Sequence, residues 1–386
     1  MKLTQNSLLI TILLVVALAT APTWARALEN EPMNPSHKTH DYRGRSLVVL
    51  DHPDRLPTSI GEHPGELVLT TPVIDVGFAA HEFVVSWNAD ASAGSAVRIE
   101  ARAIATVGGA EHASRYYVLA NWSPDNHGGS RTSVNDQQDE DGDVQTDTLV
   151  LKLASRKLQL KITLVPASSA CPTLQLLTVA AADTTSQYPE LPSDKRAWGK
   201  ELPVPYRSQV GWVNAAGWCS PTSTCMVLSY WAEALHRPEM NLPVPDVAGG
   251  VFDTVYNGTG NWPFNTAFAG SFPGIRAYVT RFSDIRELEE WTLDSLPVVV
   301  SVSYDLLQGK DKPRDAGHLM VCVGFTQTGD IILNDPFHFA DKGEPCRKVF
   351  PRSNFRKAWA HSKQAVYLIY PTGSKLPENR YGHWAD

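Results

Sequence analysis

Gly217-Trp218-Cys219-Ser220-Pro221-Thr222-Ser223, followed by Met226, Val227, Tyr230, Trp231 and Ala234, decides how the second half of this chain folds. The apolar residues recur at intervals of three and four, the period of one helix face, while Ser220 is a capping residue and Pro221 suits a first helical turn. A helix therefore begins at Cys219. There, unsatisfied N–H groups carry partial positive charge, which favours a thiolate over a thiol. Further on, Pro297–Val302, His318–Gly324 and Asp330–Asn334 read as successive strands of a buried sheet. His318 opens the second strand and Asp335 follows the third. If these two strands are adjacent and antiparallel, joined across Thr326–Gly329, His318 and Asp335 meet at the same end.

Nucleophilic catalysis by a thiol needs a base beside it, a group orienting that base, and a donor for the developing oxyanion. Cys219, His318, Asp335 and Gln209, from Val204-Pro-Tyr-Arg-Ser-Gln209, supply those four chemistries. Asp335 would hold the imidazole in the tautomer that accepts the thiol proton. Trp218 and Trp262, from an aromatic cluster that also includes Trp212 and Trp231, are candidate substrate-binding residues, although core packing suits the cluster equally. Asn334 and His338 flank Asp335 and read as structural, as does Asp315 near His318.

From about Pro203 to Tyr370 the ordered set Gln209, Cys219, His318, Asp335 resembles the papain-like cysteine peptidases typified by the bacteriocin-processing, double-glycine-leader peptidases, and in particular their secreted stand-alone relatives. The resemblance implies Cys219 as nucleophile, His318 as general base and acid, Asp335 as orienting residue and Gln209 as oxyanion donor. Gly260-Asn-Trp-Pro-Phe-Asn265 also looks like a segment of those relatives that lines the cleft, and through this resemblance Asn261 joins the candidate substrate-binding residues. Where the family has a Cys-Gly-Pro turn, this chain has Cys219-Ser220-Pro221. No transporter segment follows, so bacteriocin maturation is not implied.

The first half of the chain has a different pattern. Short apolar segments alternate with turn residues from Leu67 to Val179, and Leu158, Leu160, Ile162 and Leu164 alternate strictly with polar residues, as in an antiparallel β-sandwich with one wet face. The expected fold class is α+β: an N-terminal antiparallel β-sandwich followed by a papain-like cysteine peptidase domain. The expected organisation is a signal peptide over 1–27, an extended lead-in over 28–64, the sandwich over 65–182, a polar Pro-bearing linker over 183–202 and the peptidase domain over 203–386. The acidic run Asp136–Asp143 lacks the closing glutamate of an EF-hand and reads as a solvated loop.

At 386 residues, with 43% hydrophobic and 19% charged residues, the chain has the composition of a globular protein of about two domains. The charge of 34 minus 41, or −7, leaves no electrostatic footprint for nucleic acid. Lys2, the apolar run Leu8–Ala21 and the small residues around Ala25 and Ala27 form the three regions of a secretory signal, so the mature protein is expected to be secreted or periplasmic and free of the membrane. Five cysteines, at 171, 219, 225, 322 and 346, leave at least one without a partner in the chain. No metal or other cofactor is expected, since no cluster has ligand spacing.

The function these features favour is an exported cysteine peptidase acting on peptide or protein through a thioester acyl-enzyme. The alternatives are a cell-wall peptide amidase or transpeptidase using the same groups, and a non-catalytic protein whose sandwich binds glycan or protein. A transglutaminase fits less well, because 99 positions (318 minus 219) separate nucleophile and base.

Overall fold

A computed structural model describes residues 41–168, 170–314 and 317–385. The expected signal peptide, residues 1–27, and Asp315 lie outside the described residues. The class is α+β, mostly antiparallel sheet.

The N-terminal half is one ten-stranded antiparallel sheet that curls on itself to enclose the sandwich core. Its frame is two long strands, β4 (Ile74–Asp90) and β9 (Thr148–Val165). The Leu158–Leu164 alternation is observed, and it continues from the apolar run Thr148–Leu153 across Ala154–Lys157 as one strand. One end of β9 pairs with β8 (Gly142–Gln145), and the other pairs with β3 (Leu67–Thr70) and β5 (Ala96–Val107). Register shifts at Asp75/Ala80 and Ala80/Glu82 bend the β4–β9 pair between these ends. A bulge increases local twist, which lets one sheet supply both faces of a sandwich.

The lead-in is corrected over its described part. Arg45–Leu50 is a strand, β1, paired along its whole length with β10 (Thr173–Ala182), and Thr58–Ile60 is β2. The short apolar run Leu47-Val48-Val49-Leu50 is long enough for an edge strand because β10 supplies its ladder partners.

The second half carries a six-stranded antiparallel sheet in the order β11-β16-β12-β13-β14-β15. Its strands are β11 (Ile275–Arg281), β12 (Val298–Ser303), β13 (Gly317–Phe325), β14 (Ile331–Asn334), β15 (Arg347–Phe350) and β16 (Ala365–Pro371). Helix α1 (Cys219–Ala234) packs on β13, and 13 of its 16 residues are buried, so it is a core helix with little wet face. The expected capping role of Ser220 is corrected: Trp218 is the N-cap residue, and the Ser220 hydroxyl bonds Tyr367 Oη at 2.8 Å. All five cysteines are unbridged.

The halves are joined by more than a linker. Edge strand β11 offers free backbone groups, and β4 satisfies them with side chains: Asn88 bonds the Ala277 carbonyl at 2.7 Å and its N–H at 3.1 Å, and Ser86 accepts from Val279 at 3.0 Å. Side-chain capping of a sheet edge removes a site for unwanted strand pairing. Gly270 passes so close to Asn88 that a Cβ there would lie 2.0 Å from its Nδ2. Phe264, in the helix Trp262–Ala269, enters the N-terminal core and meets Trp87 edge-on at 6.3 Å. The polar connector is pinned as well: buried Glu289 accepts from Asp194 N–H and Trp198 Nε1 and pairs with Arg352.

Candidate active site

The helix start at Cys219 and the β13–β14 hairpin fix the site from opposite sides. Cys219 is the first residue of α1 and is 8% exposed. Ser223, one turn on, donates to the Leu319 carbonyl at 3.0 Å and ties the helix to the strand carrying His318. Antiparallel pairing of β13 with β14 brings His318 beside Asp335, with His318 Nε2 2.7 Å from Asp335 Oδ1. With Nε2 committed, Nδ1 is the ring nitrogen left for the thiol.

The electrostatics follow from these contacts. Burial opposes ionisation of Cys219, yet the hydrogen bond and charge of His318, with the N–H groups of Leu319 and Ser220, hold the thiol below its ordinary value. Burial likewise opposes the imidazolium, but Asp335 and the Cys219 sulfur raise His318 to about 9. Burial would push Asp335 up, and His318 and Lys348 bring it down instead. At neutral pH these shifts favour a thiolate–imidazolium pair beside an ionised carboxylate.

Two residues escaped the sequence reading. Tyr304 donates to Asp335 Oδ2 at 3.1 Å and sets its ring edge-on to His318 at 5.0 Å. Lys348 donates to the same oxygen at 2.9 Å and also to Glu344. Asp335 is fully buried and accepts a further bond from Phe337 N–H, so both its oxygens are spoken for. Tyr304 was within reach of the sequence: it directly follows β12, whose Val302 pairs with His318.

Gln209 lies on the same cavity of about 420 Å³ as Cys219, His318, Tyr304, Arg314 and Phe337. Its backbone donates to the Pro336 carbonyl at 2.9 Å, its side-chain Nε2 reaches Ala215 O at a long 3.4 Å, and its Oε1 is buried without a partner among the described residues. Nε2 carries two N–H groups and makes this one long contact, so an N–H remains for an oxyanion.

The expected substrate-binding residues separate. Trp262 lines a second cavity, of about 410 Å³, that also reaches Cys219. Trp218 is half-buried and packs on the small core of Cys225, Val244 and Val247. Asn261 is corrected by its burial. It is fully buried and caps the helix Trp262–Ala269, accepting from Phe264 N–H and donating to Asp253. An asparagine before Trp-Pro is a helix start by its chemistry, and that signal outweighs its place in a cleft-lining segment. His338 and Asn334 keep structural partners, the Asp335 and Val204 carbonyls. In the acidic run, Asp139 is engaged by Arg115, Tyr117 and the Gly142 N–H.

Two family models match. Residues 65–182 match the peptidase C39 N-terminal domain, and residues 201–367 match the peptidase C39-like family. The chain belongs to the C39-like, papain-like cysteine peptidase family. No curated protein matches. Among solved structures, a candidate C39-like peptidase from Bacillus anthracis is 18% identical over 46% of this chain and 99% of its own, with a TM-score of 0.35. The CBM22-1–GH10 modules of endo-1,4-β-D-xylanase 10B from Clostridium thermocellum, complexed with xylohexaose, are 10% identical over 42% of this chain and 31% of their own, with a TM-score of 0.16. At those scores neither likeness bears on the chemistry.

Proposed function

We propose that the protein is an exported cysteine peptidase that cleaves peptide bonds through a thioester on Cys219. The observation carrying this reading is the 2.7 Å bond between His318 and fully buried Asp335, on a cavity shared with a thiol of lowered pKa and a Gln209 amide with hydrogen-bonding capacity to spare. A binding protein has no use for three such groups converging on one thiol.

In the reaction, the Cys219 thiolate attacks the scissile carbonyl carbon, forming the C–S bond and placing charge on oxygen. Gln209 Nε2 and the N–H groups at the start of α1 are the donors for that oxygen. The His318 imidazolium gives its proton to the departing amine nitrogen as the C–N bond breaks, leaving the thioester and a neutral imidazole. The imidazole then takes a proton from water as it attacks the thioester, and C–S cleavage returns the thiolate and imidazolium. Asp335, held by Tyr304 and Lys348, keeps the ring in place throughout. Export is supported by Lys2, the Leu8–Ala21 run and the small residues at Ala25 and Ala27.

Incubation with a peptide library and rapid quenching tests the chemistry. An acyl adduct on Cys219 that hydroxylamine releases, together with new peptide termini, is the expected result. Transfer to an added amine without hydrolysis would favour a transpeptidase. No adduct and no cleavage would contradict the reading.

A further inference from the structure

The cavity on the far side of Cys219 is walled by the N-terminal domain. The turn between β8 and β9, residues 145–148, borders it together with Glu82, facing Gly217 and Cys219. Within that turn Asp147 is 8% exposed. Its Oδ2 accepts from Trp262 N–H at 2.6 Å and its Oδ1 from the Thr148 hydroxyl at 2.9 Å. A carboxylate has acceptor sites beyond those two.

The cations near Asp147 are hydrogen-bonded to other groups. Arg281, the guanidinium whose charge acts on it, gives Nη2 to Glu82 at 2.8 Å and Nη1 to the Ser362 and Lys363 carbonyls. Lys363, the cavity's ammonium, also pairs with Glu82. Asp253 adds a repulsive charge, and Tyr256 and His361 complete the titratable lining. Among the described residues Asp147 makes no ion pair, and burial raises it to about 6. A buried carboxylate without a cation is costly, and a ligand that brings the cation recovers that cost.

We propose that Asp147 forms a substrate subsite for a primary ammonium group, so that the N-terminal domain selects peptides carrying a positive charge beside the scissile bond. The inference deepens the peptidase reading and rests on it for the identity of the ligand as substrate. The ammonium is either the free α-amine of the peptide or a lysine side chain. In both cases its N–H groups point at the unspent lone pairs of Asp147.

The test uses the thiol as a reporter and does not need turnover. Full-length protein is modified at pH 8 with cationic aminoethyl and neutral hydroxyethyl methanethiosulfonate, and the rate at Cys219 is read by mass spectrometry. The cationic-to-neutral rate ratio is expected to fall about tenfold in Asp147→Asn, the equivalent of one charge-assisted hydrogen bond. It should also fall in Gln145→Lys, which adds an opposing charge at an exposed position of the same turn. An unchanged ratio in both variants overturns the proposal. Since labelling asks only for a thiol, it stands apart from any failure of the peptidase reading. With turnover in hand, paired peptides (free against acetylated N-terminus, lysine against norleucine) identify the source of the ammonium as the pair whose KM discrimination Asp147→Asn removes. No discrimination in either pair by the unmodified protein overturns the proposal as well.

Discussion

Two aspartates are buried near Cys219, one at the end of the peptidase sheet and one in a turn of the N-terminal sheet, and their surroundings drive them in opposite directions. Asp335 is fully buried, and His318 and Lys348 hold its carboxyl low. Asp147 is almost as buried, but the cations near it are engaged by Glu82, and its carboxyl rises to about 6. Burial is common to both, so the sign of the shift is set by whether a cation is within bonding distance. The peptidase side carries its counterions within the fold, while the N-terminal side leaves one to be supplied.

The largest effect should come from removing the charge of Asp335. Asp335→Asn keeps the shape but presents the imidazole with an amide, and kcat is expected to fall on the order of a thousandfold or more, with KM little changed. A loss in KM alone would assign Asp335 to binding. Lys348→Met sharpens the comparison, because it makes Asp335 more like Asp147. Activity is expected to drop by about tenfold, the scale of a charge-assisted bond. With Lys348 gone, the imidazolium also loses a neighbouring positive charge, so the alkaline limb of the kcat/KM profile should move up from near 9. A limb that stays in place would place Lys348 outside the electrostatics of the site.

The smallest effect is on stability. Asp147 binds its proton more tightly in the folded protein, at about 6, than a free aspartate does, at 3.8. Folding stability therefore falls as pH rises through that window, and the cost is fully present above it. Asp147→Asn lacks the charge, so its Tm should exceed that of the unmodified protein by a few degrees at pH 7 to 8, with the difference vanishing toward pH 4. A variant less stable than the parent at pH 8 would mean that the carboxylate is compensated after all.

How much of this was legible in the sequence depended on the range of the interaction. The helix at Cys219 and the strands ending near His318 and Asp335 follow from local periodicity, and antiparallel pairing then brings the two residues together, as found. Lys348 lies on the short strand β15, whose Arg347-Lys-Val-Phe350 has no alternation to announce it. The fusion of two apolar segments into β9 was hidden because Ala154-Ser155-Arg156-Lys157 looks like a turn, yet it continues as strand with the Ser155 hydroxyl bonding Ile104 O and Lys157 O. Asn261 was misassigned because an amide suits a cleft and a helix cap equally well, and only its burial against Asp253 distinguishes the two. The wall that the N-terminal domain lends to the cleft comes from Phe264, Asn88 and Ser86 locking the halves together, contacts separated by well over a hundred residues for Asn88 and Ser86.

The central claim is that Cys219 is an activated thiolate maintained by His318. Its most direct test is the rate of alkylation of Cys219 by substoichiometric iodoacetamide across pH 4 to 10, followed by mass spectrometry in the unmodified protein and in His318→Ala. The expected result is selective labelling of Cys219, already fast below the ordinary thiol range because the imidazolium stabilises the thiolate, with a second change near 9 as His318 loses its proton. In His318→Ala the profile should collapse to a single step at or above the ordinary thiol value. Slow labelling spread over the cysteines, with the same pH profile in both proteins, would contradict it.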